Sequence, residues 1–174
     1  MKNLCIALFF ILLHLGVSAT AEEISTEFFP ITAETRCPVC GMFVGKYTEW
    51  VAQVRLSDGS AAAFDGIKDM MAYYFAPESF GAAKGAVVRD IAVKDYYYQT
   101  WSDGRKALYV LGSDVHGPMG HELVPFSSRD GAENFFEDHR GEKLLGFGEI
   151  TPELVESLRK GHKMKGHAMP GMKK

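Results

Sequence analysis

Apolar residues recur along this chain in distinct rhythms, and each rhythm predicts an element. Residues 50–56 alternate in the manner of a half-buried strand. Ser57-Asp58-Gly59-Ser60 reads as a tight turn, because Asp-Gly supplies the positive backbone angles a hairpin needs. Residues 61–64 return as a second strand. Asp65 then stands where a helix cap belongs, ahead of Ile67, Met70, Met71, Tyr74 and Phe75 at helical spacing, and Pro77 ends that helix.

A similar order follows further on. Residues 96–101 are aromatic and strand-like, Ser102-Asp103-Gly104-Arg105 turns, and residues 106–111 return. A Gly-rich loop is expected over residues 112–120, then a short strand over 122–126. Ser127 is placed to cap a helix through Ala132, Phe135 and Phe136 to about His139, stopped by Gly141. Superposing Phe64-Asp65 on Phe126-Ser127 sets Asp69 over Asp130 and Phe75 near Phe136. The expectation is an α+β fold built from two repeated strand–strand–helix units. A last helix is predicted over residues 152–159.

The remaining apolar stretch is of another kind. Residues 4–17 form a nearly unbroken block after a weakly basic start at Lys2, and Ser18-Ala19-Thr20-Ala21 follows. That order is the pattern of a secretory signal peptide, with cleavage expected near Ala21. The block is shorter than the roughly 20 residues that span a bilayer. Cys5 lies too early, and without the preceding small residues, to be a lipid-attachment site. Cleavage removes one of the 19 basic residues and none of the 22 acidic ones, for a net charge of about −4, which gives no sign of a nucleic-acid binder. The 47% apolar content and twelve Phe suit one domain with a real core over residues 22–158. The expected destination is an export compartment, where spare thiols are normally oxidised.

Two stretches carry chemistry. Cys37-Pro38-Val39-Cys40-Gly41-Met42 sets two sulfurs close together, with a thioether two residues on. Thiolates hold Cu(I), Zn or iron–sulfur centres, and thioether sulfur adds a preference for Cu(I). A structural zinc site needs four ligands from Cys and His, and no second CxxC or spaced His pair accompanies this one. A thioredoxin-like motif should open a helix, whereas Gly41 and the strand-like Phe43-Val44 follow here. A plain disulfide is the bland alternative. The second stretch, residues 113–121, places Met119 between Pro118 and Gly120, an unusual setting for a core methionine, with His121 two residues away. Met70 and Met71, by contrast, read as packing residues.

These residues also carry a resemblance. CPVCGMFVGKYTEWVAQV, FDGIKDMMAYY and VLGSDVHGPMGHELVPFSSRDGAENFF together resemble the NosL family over residues 37–148. The family consists of accessory proteins of nitrous oxide reductase, similar to copper chaperones. The resemblance implies two ββα-type units with a likeness to organomercurial lyase. It implies a periplasmic Cu(I) carrier, not an enzyme, that helps assemble the reductase's copper-sulfide centre. Carried over position by position, Cys40 is the thiolate ligand and Met119 the thioether ligand, with Met42, Cys37 or His121 completing the shell. Many members are lipoproteins, so the missing lipid-attachment site is a departure.

A second departure is the segment 159–174, which holds Met164, Met169 and Met172 with His162 and His167. It reads either as a flexible metal-scavenging tail or as a solvated basic terminus. Two other functions compete: a thiol-disulfide oxidoreductase using Cys37 and Cys40, and a general copper or heavy-metal sequestering protein.

Overall fold

The computed structural model describes residues 28–161, so the expected signal peptide and most of the tail lie outside it. Among the described residues ten α-helices and strands follow one another: β1 (Ala52–Leu56), β2 (Ala61–Phe64), α1 (Ile67–Phe75), β3 (Val88–Lys94), β4 (Trp101–Asp103), β5 (Leu108–Gly117), β6 (Gly120–Phe126), α2 (Arg129–Asp138), β7 (Lys143–Gly146) and α3 (Pro152–Arg159). The strands form two antiparallel sheets, ordered β2-β1-β3-β4 and β6-β5-β7, so the fold is α+β. None of the described helices is long and apolar enough to cross a membrane.

The first hairpin forms as its sequence dictates. Asp58 accepts the Ser60 N–H at 2.9 Å and closes the turn, and Ala52 pairs with Phe64 across the ladder. β1 is central in its sheet, so Val54 and Leu56 are buried and even Gln53 is fully enclosed. That amide is satisfied, accepting the Phe28 N–H at 2.6 Å and donating to the Phe29 carbonyl at 2.8 Å.

The partner on the other edge of β1 is β3, which the hydrophobic pattern did not reveal. Arg89 and Asp90 break its apolar run, and pairing with β1 supplies the order that the pattern lacks. The expected strand over residues 96–101 is instead largely a turn. Asp95 accepts the N–H groups of Tyr97 and Tyr98, both at 2.9 Å, so its side chain bends the backbone as an Asx turn does. The other oxygen of Asp95 accepts both the N–H and the hydroxyl of Ser127 at 2.7 Å. Ser127 is thereby used up, and Ser128 caps α2 in its place, accepting the Gly131 N–H.

The expected loop over residues 112–120 is corrected as well. β5 continues to Gly117 and turns at Pro118-Met119 into β6. Between the pairs Leu111↔Leu123 and His116↔His121, β5 takes five steps against two on β6, so the surplus bulges out. Glycine and proline there serve a bulge and a tight turn, which in sequence look like a loop.

β5 and β6 are buried on both faces. Tyr109, Leu111 and Leu123 join the main core with Phe64, Ile67, Met70, Met71, Val155 and Leu158. Val110, Val124 and Phe126 face the other way, against Ala132 and Phe135 of α2. Met70 and Met71 are wholly buried packing residues, as expected. A hairpin followed by a helix occurs twice, but one hairpin belongs to a four-stranded sheet and the other to a three-stranded one. The duplication therefore stays an expectation of the sequence.

Candidate metal centre

The cysteine loop is a clasp held from both sides. Arg36 and Phe43 form a single antiparallel bridge, the Cys37 N–H donates to the Met42 carbonyl at 2.9 Å, and the Gly41 N–H donates to the Cys37 carbonyl at 2.9 Å. Gly41 has φ +79°, a left-handed conformation that a side chain would strain. The Arg36 guanidinium donates to the Gly41 carbonyl at 2.8 Å and lies 3.7 Å above the Phe43 ring. Phe43-Val44 was expected to be strand-like; Phe43 makes only that bridge, and Val44–Lys46 is a 3-10 turn.

The clasp turns both sulfurs toward the start of α1. Cys37, Cys40, Asp65 and Asp69 form a cluster whose potential ligand atoms all lie within 4.8 Å of one another. The Cys40 thiol donates to Asp65 at 3.1 Å, and the Cys37 thiol lies 3.7 Å from Asp69. Both cysteines are free thiols. Asp65, expected as the cap of α1, makes no capping bond; the cap position falls on Gly66. The backbone need is met from far along the chain, where buried Glu122 accepts the Lys68 N–H at 2.7 Å. A side chain at Gly66 would collide with the Glu122 carboxylate, which explains the glycine there.

Burial sets the electrostatics. It pushes the Cys37 thiol up to about 12, with the nearby Asp69 and Asp65 adding to the rise. The Cys40 thiol is also raised, first by burial and then by its hydrogen bond to Asp65. Asp69 is raised by burial too, partly offset by the Cys40 thiol and by Arg159, whose Nε lies 3.5 Å away on α3. The centre therefore stores protons on its sulfurs and presents no standing thiolate. A metal bound through these sulfurs would displace those protons.

The other expected ligands lie on the β5–β6 hairpin and in the clasp. Met119 is at the hairpin tip, 47% exposed. His121 follows on β6, its ring 4.8 Å from that of His116 across the ladder. The tip is fastened to the first turn of α1, where Lys68 donates to the Met119 carbonyl at 2.7 Å and the His121 carbonyl at 2.9 Å. Met42 is half-buried, two residues beyond Cys40. Sequence reasoning missed Asp65 and Asp69 as members of the cluster, reading one as a cap and the other as a helix residue. It also passed over His116, whose five-residue spacing from His121 becomes a cross-strand pair only through the bulged register. With the two carboxylates the cluster offers four donors, so the ligand shortage that set zinc aside disappears.

Comparison with known proteins shows the family. The NosL family matches residues 28–155. A relative from Achromobacter cycloclastes, described as a copper-binding lipoprotein NosL, is 33% identical over 149 residues, covering 80% of this chain and 76% of that one. The crystal structure of the copper chaperone NosL from Shewanella denitrificans superposes with a TM-score of 0.61 at 25% identity, covering 74% of this chain and 98% of the other. With the family match spanning most of the length, and the cysteine clasp and the Met119 hairpin both inside it, the chain belongs to the NosL family.

Proposed function

We propose that this protein is a periplasmic Cu(I) carrier, not an enzyme, which delivers copper for assembly of the copper-sulfide centre of nitrous oxide reductase. The observation that carries the reading is the placement of two protonated thiols in one four-donor cluster, beside the helix turn on which the Met119 hairpin docks. Cys40 and Cys37 bind as thiolates, Met119 adds a thioether, and Met42 or His121 completes the shell. Sulfur ligands suit a soft monovalent ion and leave a side open for handover. Asp65 and Asp69 receive the hydrogen bonds of the thiols before the ion arrives. The relatives' descriptions as copper-binding protein and copper chaperone support the cargo. The lipoprotein relative and the apolar block at the start of the chain support export.

The oxidoreductase alternative needs a thiol with a depressed pKa. Here burial and neighbouring carboxylates push both thiols the other way.

Anaerobic titration with Cu(I) against a competing chelator tests the cargo and the ligands, with Zn(II) as competitor. Stoichiometric binding is expected, and Cys40→Ser should weaken it about a hundredfold or more, equivalent to about 2.7 kcal/mol. Unchanged affinity in Cys40→Ser would overturn the ligand assignment. For the client, copper-loaded protein with added sulfide should restore the copper-sulfide absorbance of copper-depleted nitrous oxide reductase, and failure to do so would favour a sequestering role.

A further inference from the structure

Lys68 carries an ammonium group into the interior, with the residue only 3% exposed. Its acceptors are two uncharged carbonyls, those of Met119 and His121, at 2.7 and 2.9 Å. The backbone N–H of the same residue donates to Glu122 at 2.7 Å. One residue of α1 thus holds three of the four positions 119–122. Burying a charge is a costly way to fasten a hairpin, and a well-packed apolar side chain often does as well. Met119 itself does not anchor the tip by burial, being 47% exposed. A thioether ligand on a two-residue turn nonetheless binds metal well only if its backbone is fixed beforehand.

We propose that Lys68 is a positioning residue: its ammonium, bonded to the carbonyls of Met119 and His121, fixes the hairpin tip so that the Met119 thioether is presented to the thiol pair. Lys68 immediately precedes Asp69, whose carboxylate lies 3.7 Å from the Cys37 sulfur, so the clamp and one acceptor of the thiols share one helical turn. Glu122 completes the device by accepting the Lys68 and Leu123 N–H groups at 2.7 and 2.9 Å, which sets the spacing between helix and strand. Without the ammonium, the tip keeps its hairpin pairing but loses its bonds to α1. The inference rests on Met119 being a copper ligand, as proposed above.

The test compares Lys68→Leu, Met119→Ala and the double variant in the full exported chain. Cu(I) affinity comes from chelator competition, and the number of sulfur atoms on copper from X-ray absorption. Lys68→Leu should lose one sulfur and the same fold in affinity as Met119→Ala, with no further loss in the double variant. A merely structural role for Lys68 would leave the sulfur count unchanged. If Lys68→Leu does not fold, Lys68→Leu/Glu122→Gln replaces it, since that pair buries no charge and keeps the acceptor for both N–H groups. If Met119→Ala loses a sulfur while the Lys68 variant keeps it, the clamp is overturned and the ligand assignment stands. If Met119→Ala itself keeps every sulfur, the ligand assignment falls, and the clamp with it.

Discussion

At Glu122 a carboxyl group is enclosed with only two backbone N–H groups and the nearby Lys68 to stabilise its charge. Burial is the larger effect and raises it from 4.5 to about 7, with Lys68 opposing. Between those two values the folded protein holds a proton that the unfolded chain has already released. Its contribution to stability is therefore complete below pH 4.5 and is lost as pH rises through 7. The full swing is about 3 kcal/mol. Glu122→Gln keeps the acceptor and removes the titration. Urea unfolding should show it gaining on the parent by about 1–3 kcal/mol between pH 5 and pH 8.5. A gap that does not change with pH would mean that Glu122 is not the titrating group. Nothing in His-Glu-Leu-Val announces such a residue; a glutamate there reads as the solvent-facing member of an alternating strand.

Among the elements, α2 shows how the second core is made. Its Phe135 packs edge-on to Tyr96 at 5.0 Å, tilts against Phe126 at 5.0 Å, and stacks on His139 at 4.3 Å. Few residues share that core, so little can collapse into a void. Phe135→Ala should cost about 3–5 kcal/mol, read by thermal or urea unfolding, while leaving Cu(I) affinity near the parental value. A drop in copper affinity without loss of stability would place α2 in the site, against the geometry. The helix itself was legible, since its periodic Ala132, Phe135 and Phe136 follow a serine and precede a glycine. Its cap was misread by one residue because two serines are adjacent, and only the position of Asp95 decides between them.

For the whole molecule, metal loading and proton release are one process. Both thiols are raised far above neutral pH, so each thiolate that forms on copper expels a proton. Affinity should rise between pH 6 and pH 8 by about a hundredfold for each proton displaced. Chelator competition at the two values reads it directly, and a flat profile would show that the cysteines do not bind as thiolates. The segment beyond Gly161, with its two His and three Met, tests the division of labour. Ending the chain at Gly161 should keep one tight Cu(I) per protein, since the cysteine cluster lies wholly within residues 37–69. Loss of tight binding would move the principal site into that segment.

The sequence by itself determined the elements whose order is local. The Asp58-Gly59 hairpin, the helix ended by Pro77 and the helix over residues 152–159 all appear where turn chemistry and periodicity place them. It also singled out Cys37, Cys40 and Met119, because thiols and an exposed loop methionine have few ordinary uses. Tertiary structure alone decided what depends on distant partners. β3 is a strand because β1 lies beside it, and Asp95 bends the backbone ahead of β4. Asp65 leaves the cap of α1 because Cys40 stands 3.1 Å away, 25 residues earlier in the chain. Lys68 is a clamp only because β6 crosses α1, 53 residues later at His121. Periodicity reports which face of an element is buried; which side chain meets it across the core is fixed only when the sheets and helices pack.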